Sequence, residues 1–347
     1  MPSAVDRSEK RARLAAVRST VGGGPVLLTS HEAVSWYLDG VRTHVSLAGP
    51  PVVAVRVDDD GDTLFVSANE ADRLSDEELL AEDAARIVRA PWQTPPALAA
   101  AAAGAAVGEA DIAPALRAAR AALLPAEEGR YRALGAEVAA VLTDAASALA
   151  PGSSERDAAA ILAGGLAERG IDPLVVLVAG QERLMHRHPL PTRRPLGARA
   201  MLVVCGRRHG LIANATRWLG AADADDERIL EVEAAYFAAT LPGAGLGDVF
   251  RAGCAAYSAA GFDADEWTRH HQGGPTGYAG RDPRATGAEP DRLFERQAFA
   301  WNPSGPGVKV EDTVLATAAG IEVLTRDAGW PSVSVAGRAR PAVRPWD

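Results

Sequence analysis

The run "MLVVCGRRHGLIANATRW", Met201–Trp218, decides how the rest of the chain is read. An apolar stretch enters Gly-Arg-Arg-His-Gly, and a second strand-like stretch leaves it through Asn-Ala-Thr-Arg. Two such stretches around a turn make a β-hairpin. The runs "DPLVVLVAG" (172–180) and "ARAMLVVCG" (198–206) read as buried strands, so the hairpin belongs to a larger sheet.

Helical patterns lie on both sides. Residues 127–152 carry apolar positions at helical spacing and stop at Pro-Gly, and residues 153–170 open with Ser153 or Ser154 followed by acids, a capping-box pattern. Residues 226–241 and 246–261 read as two further helices, and "GVKVEDTVLATAAGIEVLT" (307–325) reads as a closing hairpin that turns near Ala318–Gly320. The first third alternates strand and helix signals. Residues 10–21 are helical, 24–30 a strand, 31–40 a short helix, and 50–67 a hairpin around Asp-Asp-Asp-Gly-Asp. Residues 68–88 read as helical, the α/β unit ends near Pro91, and the alanine-rich segment to Pro114 reads as a weak strand-helix piece or a linker.

With 347 residues, 48% hydrophobic and 23% charged, the chain has the composition of a globular protein with a sizeable core. A net charge of -9 argues against a general nucleic-acid binder. Lys10 and Lys309 are the only lysines, so nearly all positive charge is arginine. Cys205 and Cys254 form no CxxC pair, which excludes a zinc knuckle and disfavours a disulfide framework. No signal-peptide core and no stretch long enough for a bilayer is evident, and the expected location is the cytoplasm.

The order of these pieces, with "HRHPLPT" (186–192), "GLIANATR", "HHQGGPTGY" (270–278) and above all "VKVEDTVLAT", resembles the creatinase and aminopeptidase P family, M24, of pita-bread fold. The resemblance implies an α/β (α+β) fold. A creatinase-like α/β domain over residues 1–115 would precede a pita-bread domain over 116–347, with a curved antiparallel sheet flanked by helices. It also implies that two Asp, one His and two Glu bind two divalent metals in active relatives. Here the second Asp falls on Asn214 and the first near Cys205, or on Val203 by ungapped counting, because this hairpin is about two residues shorter than the family's. The histidine falls on Gly274 and the first Glu on Asn302; only the last Glu survives, as Glu311. No Asp or Glu occurs between Glu182 and Asp223, so a slip of alignment cannot hide the missing pair.

Two bridged dications need several anionic oxygens, and without the ions those carboxylates would repel one another in a low-dielectric pocket. Replacement by asparagine keeps the shape and removes the charge. The expectation is therefore no metal and no cofactor. The interval instead holds Arg183, Arg187, Arg193, Arg194, Arg199, Arg207, Arg208 and Arg217. Arg193, Arg194 and Arg199 read as surface residues, while a few of the others, Arg217 first, read as lining the former metal pocket or making a structural salt bridge.

The family includes creatinase, which cleaves a C–N bond without metal, so loss of the ions does not imply loss of activity. The leading expectation is a metal-independent member that cleaves a C–N bond of a small anionic amide- or amidine-bearing substrate. His188 and His271 are the candidate proton-transfer groups, and Glu311 orients a histidine or binds a cationic nitrogen. Asn214, Arg217, Tyr278, Arg281, Asn302 and His186 are candidate substrate contacts. Cys205 is a possible nucleophile. A buried Glu311 requires a cation, which predicts a contact with Arg281 or His188. The alternatives are a non-catalytic peptide- or ligand-binding pita-bread protein and a conventional Xaa-Pro aminopeptidase-type metallopeptidase. Expected partners are a small molecule or short peptide and, as a possibility, a second copy of the chain; nucleic acid and membrane are not expected.

Overall fold

The computed structural model describes residues 2–346. The chain divides into two compact units, one holding the chain up to Glu128 with His209–Leu211, the other Gly129–Arg208 and the chain from Ile212 on.

In the first unit, β1 (Val26–Leu28), β2 (Val53–Asp58), β3 (Gly61–Ser67), β4 (Ile87–Ala90) and β5 (Val107–Gly108) form one sheet in the order β4-β3-β2-β1-β5. The β2–β3 hairpin closes with Asp58 opposite Gly61, whose φ of +113° suits glycine. Helices α1 (Ala4–Thr20) and α2 (His31–Tyr37) fall where the spacing places them, and each starts on a serine whose side chain accepts a backbone N–H. Residues 68–88 depart from a single helix. They break into α3 (Ala71–Arg73), a π turn at Leu74–Glu78 and α4 (Ala81–Ala84), after which Ile87 and Val88 pair in parallel with Leu64 and Phe65. Sheet pairing of the β-branched residues overrides the local helical pattern. The alanine-rich segment forms α5 (Pro96–Ala102), which starts on a proline, then β5 and α6 (Ala113–Ala121). Lys10 is fully buried between Asp39 and Glu127, at 2.6 Å from each.

The second unit contains α7 (Pro125–Ala148) from Gly129 on, α8 (Glu155–Glu168), α9 (Asp225–Ala239) and α10 (Leu246–Ala259). Ser154 and Asp157 form the capping box of α8. The strands are β6 (Asp172–Gly180), β7 (Arg199–Arg208), β8 (Leu211–Gly220), β9 (Gly273–Thr276), β10 (Ala298–Trp301), β11 (Ser304–Gly305), β12 (Val308–Lys309), β13 (Glu311–Thr317), β14 (Gly320–Val323), β15 (Ser332–Val335) and β16 (Arg338–Pro341). The main sheet runs β6-β7-β8-β13-β10-β9, with β14 added on β13 by a hairpin that pairs Thr317 with Gly320. The β7–β8 hairpin turns on His209 and Gly210, both at positive φ (51° and 77°), the geometry of a tight two-residue turn.

Strand alternation sets two faces. Tyr236, Phe237, Val249 and Tyr257 of α9 and α10 pack on Phe299, Trp301 and Val314, which fixes one face as core. Asp312 lies opposite Trp301 and so belongs to that face, whereas Glu311 lies opposite Thr216 and belongs to the other. No helix among the described residues is long and apolar enough to cross a membrane.

Candidate functional site

The face of the sheet that carries Glu311 forms one wall of a cavity of about 460 Å³. Strand alternation delivers Leu177, Val203, Cys205, Ile212, Asn214 and Glu311 to this wall. The segment after β6 brings His188, the segment before β9 brings His271, and the loop after β9 brings Arg281 and Arg284. Asn302 and Lys309 complete it. Most of the sequence candidates therefore meet in one place, entirely within the second unit.

Glu311 is buried and its two oxygens are both taken. Arg281 Nη2 donates to Oε1 at 2.6 Å, and Lys309 Nζ sits 3.0 Å from Oε2. Thr216 Oγ1 lies 3.5 Å from Oε2 on the neighbouring strand. Burial pushes the carboxyl pKa up, but Lys309 and then Arg281 outweigh it and hold the group down at about 2. Of the two contacts the sequence predicts for Glu311, with Arg281 or with His188, the Arg281 one is present. Lys309 is the partner that sequence reasoning misses. Its signal was present, since a chain that uses arginine for nearly every cation places its second lysine two residues before Glu311.

The pKa values of His188, His270 and His271 are all lowered, which favours their neutral forms. Burial, followed by the charge of Lys309, pushes His188 down. Burial pushes His270 to about 2 and His271 to about 4, assisted by Lys309 for the former and by Arg281 for the latter. His270, which the sequence supplies directly before His271, was not chosen among the site candidates. Its Nε2 lies 3.1 Å from Nε2 of His188, and its Nδ1 lies 3.3 Å from Ser304 Oγ.

Three buried polar atoms of cavity-lining residues have no hydrogen-bond partner among the described residues: His271 Nδ1, Asn302 Oδ1, an acceptor, and Arg281 Nε, a donor. Asn302 is 2% exposed. An unpaired buried polar atom costs about 1–3 kcal/mol, so a ligand that satisfies these atoms is favoured there. Asn214 is buried as well, and its amide reaches Thr276 Oγ1 at 3.4 Å.

Three sequence candidates take other places. Arg217 stands an odd number of residues from Asn214 on one strand, so it points to the opposite face. There it is buried and paired with Asp312 Oδ1 at 2.8 Å, the structural salt bridge rather than a substrate contact. Tyr278 is buried beyond the cavity wall, and His186 is exposed outside it. Cys205 does line the cavity, but burial and then the charge of Glu311 push its thiol up to about 12, which opposes a thiolate nucleophile. The arginine-rich interval supplies none of the cavity's cations, which come from Arg281, Arg284 and Lys309. Arg199, expected at the surface, is buried between Asp226 and the ring of Trp218.

The residues at the family's ligand positions do not fit a pair of divalent ions. Among the described residues Glu311 is the single carboxylate on the cavity wall, and both of its oxygens already hold protein cations. Val203 and Cys205 face the cavity together, so either register of the hairpin offers no acid. At Gly274, φ is +134° and a Cβ would lie 2.9 Å from the backbone N of Ala285, which leaves no room for a histidine.

The family described as metallopeptidase family M24 matches residues 129–318, and the chain belongs to that family. Among solved structures, the prolidase from Pyrococcus horikoshii has a TM-score of 0.75 at 16% identity, covering 92% of this chain and 98% of its own. A dipeptidase from Mycobacterium ulcerans has a TM-score of 0.74 at 18% identity, with 95% and 98% covered. The Xaa-Pro dipeptidase from Bacillus anthracis has a TM-score of 0.73 at 15% identity, with 92% and 98% covered. At these identities the likeness establishes the fold: an α/β first unit followed by a prolidase-like, pita-bread second unit. No curated protein matches the sequence.

Proposed function

We propose that this M24 protein binds a small anionic molecule carrying an amide or amidine and acts at its C–N bond, without the family's two-ion centre. The observation that carries this reading is the Arg281–Glu311–Lys309 cluster, in which two fixed protein cations hold the one cavity carboxylate. Arg284, exposed and without an ion-pair partner among the described residues, adds a cation at the cavity wall for a ligand carboxylate. Asn302 Oδ1 and Arg281 Nε supply the acceptor and donor that an amide group complements. Leu174, Val175, Leu177 and Ile212 give the cavity an apolar side for the rest of the ligand. The unprotonated imidazoles of His188 and His271 supply basic nitrogens at the reacting bond.

The test is calorimetry with N-acetyl amino acids and dipeptides, each beside its C-terminal amide, followed by detection of released amine. Carboxylate forms should bind, their amides should bind at least about 10-fold more weakly, and Arg284→Ala should erase the difference. Equal binding of acid and amide forms overturns the assignment. Elemental analysis showing two tightly held divalent ions per chain, both lost in Glu311→Gln, would restore the conventional metallopeptidase.

A second reading is binding without turnover. It is favoured by the state of the two candidate nucleophiles: Glu311 is held by two cations, and burial raises the pKa of the Cys205 thiol. Ligand binding with no amine release under any assay condition would select it.

A further inference from the structure

We propose that His188, His270 and His271 together bind one divalent transition-metal ion of the zinc class, at a place distinct from the family's ligand positions. One ring nitrogen from each of the three lies within 4.8 Å of those of the other two. Nε2 of His188 and Nε2 of His270 face each other at 3.1 Å. Ions with bonds of about 2.0–2.1 Å to imidazole in tetrahedral geometry hold their nitrogens about 3.3–3.4 Å apart, so small side-chain shifts close the set around one ion.

Three further observations support the assignment. His271 has a buried Nδ1 with no hydrogen-bond partner, an atom left unsatisfied by the protein. Ser304 Oγ, next to His270 Nδ1, fixes that ring so that its other nitrogen meets His188, the arrangement by which an outer partner orients a metal-bound histidine. Partial desolvation and the neighbouring cations lower the pKa of all three rings, which favours the neutral form that ligates.

The donor set selects the metal. Three imidazoles suit zinc, cobalt, nickel or copper, and offer nothing to magnesium or calcium, which take oxygen ligands. His188 and His271 line the cavity while His270 sits behind them, so the remaining coordination position opens toward the ligand space. Lys309, Arg281 and Arg284 act on the same rings and oppose a second positive charge. The fourth ligand is therefore anionic: hydroxide or the carboxylate of a bound molecule. With the ion present, the imidazoles act through it rather than as free bases. The inference goes beyond the proposed function and does not depend on its substrate.

The experiment uses the full chain, stripped with a chelator and titrated with Zn²⁺ and Co²⁺. Ion content is read by elemental analysis, and coordination by the visible spectrum of the cobalt form. One ion per chain with a tetrahedral cobalt spectrum is expected. His188→Ala and His271→Ala should each weaken binding by more than about 100-fold, beyond what loss of an outer-shell partner costs. His188 is exposed, so its replacement tests ligation without endangering the fold, and thermal melting verifies this. Cys205→Ser should retain the ion. No bound ion, or one indifferent to both histidine variants, overturns the site. If ions fail to bind while anionic amides still do, this inference falls and the proposed function stands. Two ions lost together in Glu311→Gln defeat both.

Discussion

On one face of β13, Glu311 meets Arg281 and Lys309 at the wall of a cavity. On the other, Asp312 meets Arg217 and Arg340 inside the packed core, and Arg340 also takes both oxygens of Glu233. The formal charges on the core side cancel, two acids against two arginines. None of those four side chains leaves a buried polar atom unpaired among the described residues. The cavity side is unbalanced, with Arg281, Arg284 and Lys309 against one acid, and it leaves His271 Nδ1, Asn302 Oδ1 and Arg281 Nε unsatisfied. Buried charge that closes on itself holds a fold together. Buried charge in excess, with orphaned atoms beside it, is prepared for something that is not protein.

This contrast is tested most severely on the core side. Asp312→Asn should strip two buried arginines of a shared partner and cost about 3–5 kcal/mol, read by denaturant unfolding. A loss under about 1 kcal/mol would mean that the network is not structural. Glu311→Gln should cost less, roughly 1–3 kcal/mol, because Arg281 and Lys309 can turn to cavity water. Equal losses from the two variants would erase the distinction between the faces.

The acid limb sharpens the same point. Glu311 has its pKa lowered from 4.5 to about 2, so its ionised form stabilises the folded chain above pH 4.5. That stabilisation should fade as the pH falls from 4.5 toward 2, with a slope from this one group approaching about 1.4 kcal/mol per pH unit. In Glu311→Gln the unfolding free energy should fall less steeply through that window; identical slopes would contradict the assignment. Asn302→Ala should change stability least, within about 1 kcal/mol, since its buried oxygen is already unpaired. It should nevertheless weaken anionic amide ligands about 10-fold in calorimetry.

Much of this was legible in the sequence, for identifiable reasons. The "VKVEDTVLAT" run carries its own period of two, so Glu311 and Asp312 had to face opposite ways. The family resemblance put the two asparagines and the absent acids at its ligand positions, and charge reasoning about a buried Glu311 gave its contact with Arg281. Arg217 was misread because the same alternation was not applied from Asn214 three residues earlier. Lys309 escaped although it stands only two residues before Glu311, on the same side of the strand pattern, and His270 was passed over because its contacts with His188 and Ser304 are made only by tertiary packing. The break of residues 68–88 into short turns and a strand was hidden for a related reason. Their local pattern is helical, and the pairing partner that overrides it lies on β3.

The central claim is that the oxygens of Glu311 are committed to Arg281 and Lys309, which leaves no seat for a pair of divalent ions. Crystals grown with manganese, measured for anomalous scattering, test it directly. The account predicts no anomalous peak within bonding distance of Glu311, with Arg281 and Lys309 still on its carboxylate. Paired peaks bonded to Glu311, with both cations displaced, would contradict it.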